Sequence, residues 1–214
     1  DLGDLYLDGN TDESHANNYL GNTHGGLLNV GDDWYIFYHR QTNRTSYARQ
    51  ACAEKLERTP DGGFKQAEVT SCGLNGGPLK GKGTYEARIA CNLWAKGHAT
   101  ARVDRGKKAT EGHPYFTQTG KDRESDGDQY IANMRDGATA GFKYFDFDGT
   151  ETKISIEGRG EGKFLVSTDE KGENTVAEVP VNDSADFEIS AGVHPLYFTY
   201  RGDDAADFTA FIIE

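Results

Sequence analysis

The sequence predicts an all-β protein, and three observations lead there. Only 36% of its 214 residues are hydrophobic while glycine reaches 27, a balance that suits short strands joined by tight turns. Apolar and polar residues alternate in stretches such as Lys153-Ile154-Ser155-Ile156-Glu157 and Leu196-Tyr197-Phe198-Thr199-Tyr200. Turn-forming clusters separate many such stretches, so helices are not expected to dominate. The chain is long enough to bury a core, as one large all-β domain or two smaller ones.

Residues 1–23 are polar and without sustained period, and read as an irregular lead-in. Residues 27–30, the turn Gly31-Asp32-Asp33 and residues 34–39 read as a β-hairpin. Strands are expected at 46–56 and 64–70, on either side of the turn Thr59-Pro60-Asp61-Gly62-Gly63. Four antiparallel strands in about 50 residues is the size of one propeller blade. The glycine-rich run from Gly73 to Gly83 is the best candidate boundary. Beyond it strands are expected at 84–94, 115–119, 130–134, 141–146, 153–158, 162–168, 175–179, 185–189, 193–200 and 208–213. That spacing describes a jelly-roll β-sandwich. The basic stretch 97–112 reads as a long loop or β-arm.

A formal charge of −12, with no Lys/Arg stripe, makes nucleic acid a poor partner, whereas neutral polysaccharides meet no such penalty. No run of about 18 apolar residues could span a membrane. Asp1-Leu2-Gly3-Asp4 lacks the basic and apolar regions of a secretory signal, which is either absent or lies outside this sequence. Cys52, Cys72 and Cys91 show no C-x-x-C spacing, which argues against zinc or a disulfide framework. Buried free thiols are expected, with a Cys52–Cys72 bridge as the alternative.

Two resemblances cover nearly the whole chain. Gly21-Asn22-Thr23-His24-Gly25-Gly26, Trp34-Tyr35-Ile36-Phe37-Tyr38-His39-Arg40 and Thr45-Ser46-Tyr47-Ala48-Arg49 resemble the closing blade of a family-43 glycoside hydrolase, a five-bladed β-propeller. From Asp128 onward the chain is similar to family-6 carbohydrate-binding modules, which are jelly rolls. The matching residues are Gln129-Tyr130-Ile131, Gly141-Phe142-Lys143-Tyr144-Phe145-Asp146-Phe147, Lys153-Ile154-Ser155-Ile156, Gly192-Val193-His194-Pro195-Leu196-Tyr197-Phe198 and Asp207-Phe208-Thr209-Ala210-Phe211. The resemblances imply a partial β-propeller, one four-stranded blade over 1–75, then a linker at 76–83 and a jelly-roll β-sandwich over 84–214.

Inverting glycosidases need a carboxylic acid and a carboxylate base set apart to admit water. In the family these come from earlier blades, so the resemblance assigns no catalytic residue here and implies a chain inactive alone. His24 corresponds to a histidine that helps hold a cation at the propeller axis; its bland alternative is a hydrogen-bonded turn histidine. Arg40 and Arg49 either line the substrate end of the intact propeller or are exposed or salt-bridged. Tyr130 matches the first of two aromatics that clasp a sugar, its alternative being a half-buried strand aromatic. The expected second ring is missing, since the run from Pro180 to Phe187 has no Trp, and Ala205 stands where an asparagine is expected. Trp94, Tyr115 and Phe116 are the other candidate sugar platform, with core packing the alternative for Trp94. Glu86 and Asp207 correspond to a structural calcium pair, whereas the acidic run Asp122 to Asp128 fails as an EF-hand and reads as a solvated turn.

The expectation is therefore a non-catalytic segment that binds a neutral plant-wall polysaccharide of the xylan or arabinoxylan type, with Ca²⁺ as a structural ion. Its rivals are a portion of an intact arabinofuranosidase or xylosidase and a structural module that stabilises the propeller. Upstream blades or a second copy are the protein partners implied. Secretion or display on a bacterial surface is implied by the family alone.

Overall fold

A computed structural model describes residues 25–44, 48–98, 112–120 and 128–214. The lead-in 1–23, residues 99–111 of the basic stretch and the acidic run 121–127 lie outside these described residues.

Three strands form the first sheet: β1 (Gly26–Val30), β2 (Asp33–Gln41) and β3 (Arg49–Leu56), antiparallel in the order β1-β2-β3. Gly31, at φ +63°, supplies the left-handed residue that the two-residue turn needs, and the Asn29 amide donates to the carbonyls of Gly31 and Asp33. The expected fourth strand, 64–70, contributes only an isolated bridge between Phe64 and Arg58. At its end the chain turns its donors elsewhere. Thr70 N–H and Oγ1 go to the Glu54 carboxylate at 2.9 and 2.6 Å, and Ser71 N–H goes to Lys143 O at 2.5 Å. Among the described residues the blade-like sheet is thus three-stranded.

The remaining strands are β4 (Leu79–Lys80), β5 (Gly83–Glu86), β6 (Asn92–Trp94), β7 (Tyr115–Gln118), β8 (Gln129–Met134), β9 (Thr139–Phe147), β10 (Lys153–Arg159), β11 (Lys163–Ser167), β12 (Thr175–Pro180), β13 (Ser184–Asp186), β14 (Gly192–Arg201) and β15 (Ala206–Ile213). They build two facing sheets, β13-β10-β15-β8-β7 with β5 on β15, and β12-β11-β14-β9-β4 with β6 on β9. Among the described residues only β4 on β9 is parallel. This is an all-β jelly-roll sandwich beside an unclosed blade-like sheet. Among the described residues no helix is long and apolar enough to cross a membrane.

Alternation explains the core. Ile154 and Ile156 point inward from β10, as do Phe208 and Phe211 from β15, whose odd spacing is accommodated by the register shift opposite Glu157 and Gly158. Phe142, Phe164 and Phe198 join them from the opposite sheet, all fully buried, with ring centroids 4.7 to 4.9 Å apart for Phe164–Phe208, Phe198–Phe211 and Phe142–Phe211. The expected continuous strand 84–94 is instead broken. A 3-10 turn at Ala87–Ile89 carries the chain from one sheet to the other, and the fully buried Ala87 and Ala90 are small enough to pass the corner.

Arg40 centres one seam between the first sheet and the sandwich. Arg40 donates to Gln50 Oε1 (2.6 Å), to Arg88 O (2.5 Å) and to Ala90 O, and its guanidinium lies 3.6 Å from the Phe116 ring centroid. A second seam joins Lys143, buried in β9, to Glu68 at 2.8 Å. Leu79–Lys80, within the expected boundary region, is itself a strand of the sandwich. Cys52, Cys72 and Cys91 are free thiols, the last two buried.

Candidate functional site

Tyr130 stands on the outward face of β8, because its neighbour Ile131 fills the core and alternation turns Tyr130 the other way. The ring is half-buried. Arg159 at the end of β10 lays its guanidinium 4.1 Å from the Tyr130 centroid, and Arg159 Nε meets Asp207 Oδ2 at 3.1 Å. Asn133 N–H donates to the other Asp207 oxygen at 3.3 Å. The backbone makes this meeting possible: a register shift falls between Glu157 and Gly158, and a Cβ on Gly158 would stand 2.4 Å from Asp207 O. Burial, and then the Asp207 charge, push the Tyr130 phenol above its ordinary pKa, so it stays a neutral donor. A half-buried ring capped on one side by a guanidinium, with a carboxylate beside it, can offer its uncovered part to a sugar face and its polar neighbours to the sugar's hydroxyls.

The other aromatic candidates separate. Tyr115 on β7 is half-buried on that same outward face, since Thr117, two residues on, pairs directly with Tyr130. The Arg44 guanidinium lies 4.5 Å from the Tyr115 centroid. Phe116 points inward, 2% exposed, beneath Arg40, and cannot offer a face to a ligand. Trp94, 1% exposed, is stacked on Tyr197 at 6.1 Å and likewise belongs to the packed interior. Both leave the platform proposed for them because the chain's alternation and the closing β6–β9 contact bury them.

The calcium pair does not assemble. Glu86 is engaged by Arg88, whereas Asp207 is held by Arg159 and Asn133. Glu86 pairs with Ala210 on β15, three positions along from Asp207, so the backbone positions of the two residues are offset by about 10 Å along the strand. Among the described residues no three His, Cys, Asp or Glu side chains gather in a metal-binding group. His24 lies outside the described residues.

The two arginines of the first sheet differ in exposure, Arg40 being half-buried and Arg49 exposed. Arg40 is spent on docking, and Arg49 donates to His39 Nε2 at 3.2 Å. A cleft of about 280 Å³ does lie beneath that sheet, lined in part by Tyr38, Cys52, Glu54 and Arg88. Burial pushes the Tyr38 phenol and the Cys52 thiol up, Glu54 adding to both, so each stays protonated. Tyr38 Oη donates to Glu54 at 3.1 Å. Glu54 is in turn held by the Thr70 N–H and hydroxyl.

No family model matches the sequence. Over 218 aligned residues the chain is 42% identical to a xylosidase/arabinosidase from Thermoclostridium stercorarium, an alignment covering 98% of this chain and 46% of that protein. The chain therefore spans about half the length of that curated relative. In fold, 90% of the chain matches 41% of a family 43 arabinoxylan arabinofuranohydrolase from Bacillus subtilis, solved in complex with cellotetraose, at TM-score 0.54 and 17% identity. A family 6 carbohydrate-binding module from Clostridium cellulolyticum, in complex with xylose, aligns with 64% of this chain and 99% of its own length at TM-score 0.47 and 12% identity.

Proposed function

From the premise that the chain resembles the C-terminal part of a family-43 glycoside hydrolase, a blade-like sheet followed by a family-6-like sandwich, we propose that it is the carbohydrate-binding segment of an enzyme that degrades plant polysaccharides. Its ligand is a xylan or arabinoxylan chain, taken at the Tyr130–Arg159–Asp207 cluster. The single observation that carries this reading is the half-buried Tyr130 ring with a guanidinium 4.1 Å from its centroid and a carboxylate beside it, on an outward sheet face. A non-catalytic role is supported by how the carboxylates near the clefts are occupied. Glu54 serves Tyr38 and Thr70, Glu68 serves Lys143 and Tyr144, and Asp207 serves Arg159. Action on an extracellular polymer implies secretion or surface display.

Calorimetry against xylan, arabinoxylan and arabinan tests the reading. Binding to one of the first two, weakened about 10-fold or more in Tyr130→Ala, is expected, since an aromatic stack of 1.4 kcal/mol or more is worth that factor. Absence of binding to all three refutes it. The identity to a named xylosidase/arabinosidase over about half of its length favours a second reading, a portion of the whole hydrolase. In that case, mixing the chain with the remaining half of such an enzyme restores cleavage of a nitrophenyl pentoside; a silent mixture counts against it.

A further inference from the structure

The Tyr130 cluster continues across the sheet to the first sheet's β2–β3 turn. Arg159 and Asp207 are direct partners across β10 and β15, Tyr130 follows on β8, and Tyr115 on β7. Beyond β7, the free edge of the sandwich is taken up by the turn at Asn43. Asn43 N–H donates to Phe116 O at 2.8 Å, and Thr117 Oγ1 donates to Asn43 Oδ1 at 2.5 Å. Asn43 and Arg44 both have left-handed backbones, φ +55° and +51°, which turns the Arg44 side chain back over the Tyr115 ring. The band thus runs over three interstrand spacings, about 14 Å, and ends on a residue of the first sheet.

Charge along this band is uneven. At the Tyr130 end Arg159 is neutralised by Asp207, and Asp128, held by the Thr119 side chain and N–H below the usual carboxylate range, adds a further negative group. At the Tyr115 end Arg44 is exposed and no described carboxylate pairs with it. A planar guanidinium fixed over a ring keeps its N–H edge for bidentate pairing with a carboxylate. We propose that Tyr115 and Arg44 form a second subsite, one that recognises the carboxylate of a uronic acid residue on a glycan whose neutral part lies on Tyr130. This rests on the carbohydrate-binding reading above. The two sheets are then joint owners of one site, and the ligand's direction is set: uncharged sugar toward Asp207, uronate toward Arg44.

The test is calorimetry on the whole chain at low salt with a uronic-acid-branched xylo-oligosaccharide and with the same oligosaccharide after its carboxyl has been reduced to the alcohol. The acidic form is expected to bind about 10-fold tighter, the factor a charge-assisted bond of 1.4 kcal/mol supplies. That preference should vanish in Arg44→Gln and shrink with added salt, while the reduced form keeps its affinity in Arg44→Gln. Tyr115→Ala should weaken both forms. An unchanged melting temperature shows that Arg44→Gln remains folded, as its exposed position predicts. Equal binding of acidic and reduced forms overturns the uronate subsite and leaves the Tyr130 site standing. A preference that survives Arg44→Gln also overturns it. Binding of neither form overturns the carbohydrate reading itself.

Discussion

Replacing Arg40 by alanine should weaken the docking of the first sheet on the sandwich without unfolding the sandwich. The guanidinium donates to Ala90 O and Arg88 O and covers Phe116. Hydrogen bonds from a charged donor contribute about 1.5–3 kcal/mol each, and the ring contact about 0.5–2 kcal/mol. Gln50 Nε2 also donates to Arg88 O at 3.0 Å, so that carbonyl stays satisfied in the variant, whereas the carbonyl of the fully buried Ala90 loses its donor. Allowing for shared partners, docking should lose about 3–5 kcal/mol. The two tryptophans report the parts separately: Trp34 lies on β2 and packs on Phe64 at 5.3 Å, whereas Trp94 is inside the sandwich. Urea unfolding would be followed by fluorescence in Trp94→Phe and Trp34→Phe backgrounds, each with and without Arg40→Ala. With an m-value near 2 kcal/mol/M, the Trp34 midpoint should fall by roughly 1.5–2.5 M, and the Trp94 midpoint by far less. Equal shifts of both probes would refute the reasoning, because the contact would then support one indivisible unit.

Three further outcomes are expected. Burial pushes the Asp169 carboxyl up, but the N–H groups of Asn174, Glu173 and Lys171 outweigh it and hold it below the ordinary value; its stabilisation is therefore complete above about pH 4 and lost as pH falls through the lower folded pKa, so Asp169→Asn should flatten the acid limb of a melting-temperature profile. Tyr200 Oη donates to Glu161 O at 2.5 Å and Asp204 O at 2.8 Å from a buried ring, so Tyr200→Phe should cost about 1–3 kcal/mol in urea unfolding. Trp94→Ala should cost about 3–5 kcal/mol of stability through its cavity while leaving the glycan affinity of the folded fraction unchanged, a pairing of results that a sugar-stacking Trp94 would not give.

Period-two alternation made most of the sandwich legible: Ile154 and Ile156 in, Ser155 between them, with the strands near their expected limits. It failed where the chain changes sheets. The run 84–94 looks continuous because a corner built on Ala87 and Ala90 carries no turn residue. It failed again at 64–70, where a β-favouring segment forms only one bridge and its last residue, Thr70, gives its N–H and hydroxyl to Glu54, sixteen positions away. Within the site, the parity of Tyr115-Phe116-Thr117 already divides one inward ring from two outward side chains, and the uniformly buried run from Ala90 to Trp94 is the mark of a segment covered on both faces. The Arg159–Asp207 pair and the Arg44–Tyr115 stack join residues 48 and 71 positions apart in sequence, and only the fold brings them together.

The edge of β9 carries a last consequence. Three separate pieces of chain run along it in succession: Asn92–Trp94 against Thr139 to Gly141, Ser71 at Lys143, and Leu79–Lys80 against Phe145 and Asp146. A cut placed after Lys80, near the end of the glycine-rich run, would therefore strip two of these three covers and leave β9 with bare amides and carbonyls, ready to recruit a neighbouring molecule into a growing ribbon. What looks in sequence like a tether between interchangeable modules acts as a selvedge, and any transplant of the sandwich must carry residues 71–80 with it to remain monodisperse.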